Sequence, residues 1–75
     1  MKIERLREIR EDHDLTQQDI AKVLNTTQQQ YSKYELGIIL IPIEKLAILA
    51  DYYNTSVDYL IGRTNDAKPY EKKKH

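Results

Sequence analysis

The chain has 75 residues, no cysteine and a formal net charge of zero, from 12 basic and 12 acidic side chains. A chain this short forms one small domain that buries only ~60% of its unfolded surface, and without cysteine it can build neither disulfides nor thiolate metal sites. Its longest apolar run, residues 38–43, is far below the ~20 residues of a membrane span, and its charged start lacks a signal-peptide core. We therefore expect a cytoplasmic protein with no membrane segment.

The first helical pattern is the segment KIERLREIRE, in which apolar Ile3, Leu6 and Ile9 recur every three residues with charged residues between them. This spacing predicts an amphipathic helix over about residues 2–12. Asp14 follows that helix, and we expect it to take the left-handed backbone conformation that ends many helices.

A complete helix-start signal comes next, in LTQQDIAKVLN. Thr16 is expected to cap the second helix, with Asp19 at the third helical position, where a carboxylate also favours the helix dipole. Leu15 precedes the cap and can pack against Ile20 as a hydrophobic staple. We expect this helix to extend to about Leu24.

Another start signal appears after a very short connection. Thr27 is predicted to cap the third helix, and Gln30 is predicted to complete a capping box of the form T-x-x-Q. The helix should extend to about Leu36 and end at Gly37, which favours the left-handed conformation. The side chains expected to face inward are Tyr31 and Tyr34.

Two further helices complete an all-α fold of five helices in a domain over residues 1–64. The segment IPIEKLAILADYYN predicts the fourth helix, with Pro42 in its first turn, and TSVDYLIG predicts a short fifth helix from the cap Ser56 to Gly62. Residues 65–75 have little to bury and are predicted to form a flexible basic tail. The buried stripe expected on the fourth helix consists of Ile43, Leu46, Leu49, Ala50 and Tyr53.

The second and third helices together form a helix-turn-helix at about residues 16–36, because a short connection joins them and the second of the pair begins with polar side chains. The segment LTQQDIAKVLNTTQQQYSKYELG closely resembles the Cro/C1-type (XRE-like) regulators, the family of the lambdoid phage repressors. With RLREIRED before the motif and LADYYNTSVDYLIGRT after it, the resemblance covers about Ile3 to Thr64. It implies a lambda repressor-like domain whose third helix enters the DNA major groove.

The run of three glutamines carries the candidate base contacts. Gln28 and Gln29 are the first two residues after the cap, so they point out of the end of the helix. An amide can form two hydrogen bonds with adenine N6 and N7, a pairing that discriminates bases by about 1–3 kcal/mol. In the resembled family these positions touch bases, whereas the alternative is a solvated first turn. Gln30 is assigned mainly to the capping box, with a DNA contact as a second option.

Other side chains of the motif are weaker candidates for DNA contact. Thr27 is expected to cap the helix and also to offer its methyl group to a thymine. Lys33 lies one turn beyond Gln29 and can reach guanine or phosphate, unless it serves only solubility. The resemblance implies a phosphate contact for Gln17. The remaining candidates for phosphate contact are Ser32 and Tyr34, although the aromatic position of Tyr34 favours packing.

The resemblance also implies one structural ion pair. Arg10 and Glu35 match positions at which the family pairs an arginine of the first helix with a glutamate near the end of the third helix. If this pair is partly buried, the loss of one partner costs more than the pair contributes, because the other charge is left unpaired.

Signals for chemistry are poor. Residues 11–14 gather three carboxylates and His13, but they lack the spacing and the glycine turn of a calcium loop. Zinc is also disfavoured without cysteine, and no phosphate-binding glycine loop or nucleophile–base pair is present. We therefore predict no enzyme activity, no metal and no cofactor.

The loop after Gly37 departs from the family pattern, which usually continues with lysine or arginine and then proline. Here the loop consists of Ile38, Ile39, Leu40 and Ile41, so charges that would neutralise phosphates are missing. We expect at least two of these side chains to fold onto the core and the others to be available to a partner. Bulk charge does not compensate, since residues 1–40 carry six basic side chains (Lys2, Arg5, Arg7, Arg10, Lys22, Lys33) and seven acidic ones (Glu4, Glu8, Glu11, Asp12, Asp14, Asp19, Glu35).

Two functions remain open at this point. The first is a sequence-specific DNA-binding transcriptional regulator, acting as a repressor on a double-stranded DNA operator. One module contacts too little surface for tight specific binding, so we expect a homodimer formed near the fifth helix, on half-sites about one helical turn apart. The second is a protein-interaction module, or an antitoxin-like partner binder, that uses Ile38, Ile39 and Leu40.

Overall fold

The computed structural model describes residues 2–69, and within that range the chain forms helices and no strands. This architecture confirms the all-α fold with five helices. The longest helix has ten residues, and no helix in the described range is long and apolar enough to cross a membrane. The helices are α1 (Glu4–Asp12), α2 (Gln17–Val23), α3 (Gln28–Leu36), α4 (Ile43–Tyr52) and α5 (Val57–Leu60).

Three helices begin at the predicted cap residues. The Thr16 hydroxyl accepts a hydrogen bond from the Asp19 backbone N–H at 3.1 Å, and the Asp19 carboxylate accepts one from the Thr16 N–H at 2.9 Å. Backbone groups that a helix start leaves unpaired are thereby satisfied. Thr27 accepts from the Gln30 N–H at 3.1 Å, and Ser56 caps α5 in the same way.

The capping box predicted at Thr27 is only half formed. The Gln30 side chain does not return to the Thr27 backbone; its Nε2 donates to the Tyr34 hydroxyl at 3.3 Å. Residues four apart on a helix are neighbours, so a glutamine has a competing partner on its own helix whenever a hydroxyl lies one turn ahead. The prediction of a full box was therefore wrong.

The ends of the helices use left-handed residues. Asp14 (φ 56°) and Gly37 (φ 76°) take the conformation predicted for them. Asn25, with φ 54°, forms the turn between α2 and α3, a conformation that asparagine tolerates better than most residues. Other boundaries shift slightly: α1 begins two residues later than predicted, and α5 ends at Leu60 instead of continuing toward Gly62.

The core gathers apolar side chains from all five helices, and the largest fully buried ones are Tyr31, Leu6, Ile20, Leu49 and Leu60. Ile43, which the sequence predicted to be buried, is 61% exposed. Pro42 is the N-cap of α4 and Ile43 is its first residue. Since helical side chains tilt toward the N-terminus of their helix, that of Ile43 projects away from the core. The other four members of the predicted stripe are buried.

The apolar loop divides its side chains between the core and the surface. Ile41 is buried and Ile39 packs against the core, whereas Ile38 is 65% exposed and Leu40 is 69% exposed. The outcome agrees with the expectation that two of the four fold onto the core.

Residues after α5 are tied to the domain by hydrogen bonds. Arg5 of α1 donates to the backbone carbonyls of Tyr59 and Thr64, each at 2.9 Å, and Thr55 donates to the carbonyl of Ala67 at 2.7 Å. The first residues of the segment predicted to be a flexible tail therefore contact the domain. Residues 70–75 of that segment lie outside the described residues.

Candidate nucleic-acid interface

The helix-turn-helix is held together by its short connection and by close packing of α2 on α3. The Thr26 backbone N–H donates to the Ala21 carbonyl at 2.9 Å, which ties the turn back to the end of α2. Lys45 of α4 donates to the Leu24 carbonyl at 3.1 Å, so a cation also satisfies one of the free carbonyls at that helix end. These contacts fix the direction in which α3 leaves the turn.

The first turn of α3 presents the candidate base contacts to solvent. Thr27, Gln28 and Gln29 are exposed. Neither amide of the two glutamines takes part in a hydrogen bond with any other part of the chain between residues 2 and 69. Lys33 is exposed as well, one turn beyond Gln29 on the same helix. The tip of α3 thus carries free donors and acceptors that are not used for internal structure.

The remaining candidates on α3 are more deeply placed. Gln30 and Ser32 are half-buried, and Tyr34 is buried. The Tyr34 ring packs edge-on against the Tyr31 ring, with their centroids 6.4 Å apart. The Tyr34 hydroxyl accepts a hydrogen bond from Gln30, and the burial of the side chain favours the packing role for this residue over contact with phosphate.

A buried polar network joins α1, the start of α2 and the end of α3. Arg10 donates to Glu35 through two nitrogens, Nε to Oε2 at 2.7 Å and Nη2 to Oε1 at 3.1 Å. The Arg10 side chain is 13% exposed and that of Glu35 is 4% exposed. Arg10 also donates to the Leu15 carbonyl at 2.8 Å, and Gln17 Nε2 donates to Glu35 Oε1 at 3.2 Å. Gln17, placed by sequence at the DNA backbone, is therefore also a structural member of this network.

The network sets the ionisation of its members. Burial alone raises the pKa of the Glu35 carboxyl, but hydrogen bonds from Arg10 and Gln17 outweigh it, so the pKa lies below its ordinary value. The hydrogen bond with Glu35 raises the pKa of Arg10. Nearby, burial raises the pKa values of the Tyr31 and Tyr53 hydroxyls, with Glu35 adding to both shifts. Among residues 2–69, neither of these two hydroxyls has a hydrogen-bond partner of good geometry.

The exposed side chains of the interface carry groups that can form hydrogen bonds and an ion pair. Its exposed members supply amides, a hydroxyl and an ammonium group. Among residues 2–69, no three His, Asp or Glu side chains lie close enough together to hold a metal ion. No local sequence pattern predicts the Gln17–Glu35 and Lys45–Leu24 contacts, because each joins residues that are distant in the chain.

The chain is similar to known proteins. The helix-turn-helix family matches residues 6–60. The HTH-type transcriptional regulator YobD of Bacillus subtilis, described as uncharacterized, is 37% identical over the whole chain, which covers 67% of that protein. The transcriptional regulator AnsR of the same organism is 36% identical over 84% of the chain, which covers 54% of AnsR.

A solved structure extends the comparison to the fold. The crystal structure of a transcriptional regulator from Listeria innocua aligns with 97% of this chain at a TM-score of 0.76 and 30% identity. The chain covers 62% of that protein, so it spans between about half and two thirds of the length of these three relatives. With five helices, a helix-turn-helix and these relatives in agreement, the chain belongs to the Cro/C1-type (XRE-like) helix-turn-helix family.

Proposed function

We propose that this chain is the DNA-binding part of a transcriptional repressor that places α3 in the major groove of an operator. The observation that carries the proposal is the exposed tip of α3, where Gln28 and Gln29 stand side by side without internal hydrogen bonds in the described chain. The side-chain amides of Gln28 and Gln29 therefore have no structural role within the described chain. They match the paired donor and acceptor that adenine presents in the major groove.

Each exposed side chain of α3 has a different task in this docking. Gln28 and Gln29 bond to base edges, and Thr27 places its methyl group against a thymine while its hydroxyl caps the helix. Lys33 follows one turn later and reaches a guanine or a phosphate. Because α3 is held by α2 and by the ion pair at its far end, its tip can enter the groove without local rearrangement.

Phosphate contacts position the module without reading sequence. The Nε2 group of Gln17 has two hydrogens, of which Glu35 takes one, so the second remains available to a phosphate oxygen. Ser32 and Gln30 are half-buried beside the exposed tip, and we assign them as secondary phosphate contacts. The Tyr34 hydroxyl is the remaining candidate, because the bond from Gln30 uses it as an acceptor and leaves its hydrogen to donate to a phosphate oxygen.

The repressor acts as a homodimer on two half-sites about one helical turn apart. One small module buries too little surface for specific binding at the affinities that operators need. A candidate contact lies at α5 and the neighbouring surface of α4, where Ile48 and Tyr52 are exposed. A bound dimer represses by blocking access to the promoter.

Selection of bound duplexes from a random pool tests the proposal. Gln28→Ala and Gln29→Ala should each relax preference at one or two base pairs, at a discrimination cost of about 1–3 kcal/mol for each pair of bonds removed. Gln18→Ala is the matched control, because it removes an exposed amide from α2. Its preference should match that of the unaltered protein. Unchanged preference in both α3 variants would refute the base contacts.

A second function, binding of a protein partner, is favoured by one observation. Ile38 and Leu40 are exposed, as are Leu36 and Ile43 nearby in the sequence, and exposed apolar surface can mark a protein-interaction site. Antitoxin PezA of Streptococcus pneumoniae is 27% identical over 88% of the chain. A random duplex separates the two functions: DNA binding predicts affinity that falls as salt rises, and a pure interaction module predicts no binding at any salt.

A further inference from the structure

The start of the chain packs against the residue that ends α3. A methyl group built on Gly37 would come within 2.8 Å of the Lys2 Cα and 2.9 Å of the Lys2 nitrogen. The backbone of Lys2 therefore lies directly on the junction between α3 and the apolar loop. Its exposed side chain therefore begins beside the loop of Ile38, Ile39, Leu40 and Ile41, which carries no charge.

Beside this junction lies a shallow cavity of about 230 Å³. It is formed by the chain start, α1, the beginning of α2 and the end of α3. Gln17, the candidate phosphate contact of α2, contributes to its wall. The charged side chains that line the cavity are Lys2, Arg7, Arg10, Glu11 and Glu35.

The charges of this cavity favour an anion once the internal ion pair is taken into account. Arg10 and Glu35 neutralise each other, which leaves Lys2 and Arg7 against Glu11 alone. Arg7 is paired with Glu11 at 3.1 Å, but both side chains are more than half exposed, and exposed pairs of this kind are weak. Arg7 can therefore exchange the carboxylate for a stronger anionic partner at little cost.

The charged side chains around the cavity also favour one direction of approach for an anion. A neighbouring cavity of about 240 Å³ shares Lys2, Arg7 and Glu11 but adds Glu4 and Glu8, so the outer face of α1 repels anions. The side toward Gln17 carries no further unpaired carboxylate among the lining residues. An anion is thus directed toward Gln17, the proposed phosphate contact of α2.

We infer that Lys2 and Arg7 bind two neighbouring phosphates of the DNA backbone at the cavity beside Gln17, and so supply the charge that the apolar loop lacks. The inference rests on the proposed function, since it adds two phosphate contacts to the same docked module. It accounts for how a chain with zero net charge and an uncharged loop holds a polyanion.

The salt dependence of binding to a random duplex tests this inference. Removal of one phosphate contact should reduce the slope of log K against log salt by about 0.9. Lys2→Gln and Arg7→Gln should each lower the slope by about that amount, and the double variant by about twice as much. Lys68→Gln is the matched control, because it removes one exposed cation from the segment after α5. Its slope should equal that of the unaltered protein.

A second readout separates a phosphate contact from a disturbance of the fold. Arg7→Lys keeps the charge and should restore most of the slope that Arg7→Gln removes, while far-ultraviolet circular dichroism should show the same helix content in all variants. Base preference should stay unchanged, since phosphate contacts carry no sequence information. An unchanged slope in the double variant, or an altered base preference, would overturn the inference alone. Absence of duplex binding by the unaltered protein at every salt concentration would overturn the proposed function with it.

Discussion

Arg10 and Glu35 form a two-point ion pair between α1 and α3, although they lie 25 positions apart in the chain. Gln17 donates to the same carboxylate from α2, so the pair joins the helix before the motif to both helices of the motif. A bond of this kind fixes orientation as well as distance, because both partners are planar and each bond constrains the other. The angle at which the tip of α3 faces solvent depends on it.

The stability of the domain should depend on this pair in a non-additive way. Arg10→Met or Glu35→Leu alone leaves a buried charge without its partner, which should cost about 3–5 kcal/mol. The double variant, with apolar side chains of similar size, should cost less than either single change. Urea unfolding of the four proteins measures this, and a single variant that is unfolded without urea counts as the expected loss. Additive costs would contradict the prediction.

Stability should fall in acid through Glu35. Its pKa in the folded protein lies below the ordinary value of 4.5, so the unfolded chain takes up protons first as the pH drops. The stabilising contribution is therefore complete above 4.5 and is lost as the pH falls from there through the lower folded pKa. The double variant lacks this carboxyl and should lose less stability over that window. The measurement is the urea midpoint of the unaltered protein and of the double variant between pH 7 and pH 3. An equal fall in the two midpoints would rule out this role of Glu35.

Thr27 has two roles in this proposal, since its hydroxyl caps α3 and its methyl group contacts a base. Substitutions should separate the two. Thr27→Ala removes the hydroxyl that accepts from the Gln30 N–H and should cost about 0.5–2 kcal/mol. Thr27→Ser keeps the hydroxyl and should retain most of that stability, while it loses the methyl group offered to thymine. Thr26→Ala is the control, because the Thr26 side chain caps no helix. Equal thermal stability of Thr27→Ala and Thr26→Ala would show that the cap contributes little.

The two glycines should respond differently to the same substitution. Both have positive φ, 76° for Gly37 and 84° for Gly62, so alanine at either position should cost about 1–2 kcal/mol of backbone strain. Only at Gly37 would the added methyl group meet backbone, that of Lys2, whereas Gly62 has open space around it. Gly37→Ala should therefore be the more destabilising change in denaturant unfolding. Similar losses at both positions would show that the chain start can move aside freely.

The local signals of the sequence explain why most boundaries were predicted well. Thr16, Thr27 and Ser56 accept hydrogen bonds from residues three positions ahead, and such contacts need no other part of the chain. Asp14 and Gly37 likewise act within their own turn. The errors arose where a local rule had a competitor, as at Gln30, whose side chain bonds to Tyr34 on the same helix.

Contacts between distant residues were beyond any local rule. Ile43 fits the apolar period of α4 but stands at its first position, where the helix has no core to cover. The apolar loop could not be divided into inner and outer side chains until its path was known. The cavity beside Lys2 likewise depends on where the chain start meets the end of α3.

By itself the sequence determined five helices, the caps of three of them, the helix-turn-helix and the pair of glutamines at the start of its second helix, because periodicity and capping act over three or four residues. Only the tertiary structure decided that Gln17 shares the carboxylate of Glu35, that Ile38 and Leu40 face outward, and that Lys2 lies beside Gly37. Each of these outcomes is set by packing between segments far apart in the chain, where burial and charge pairing depend on the complete fold.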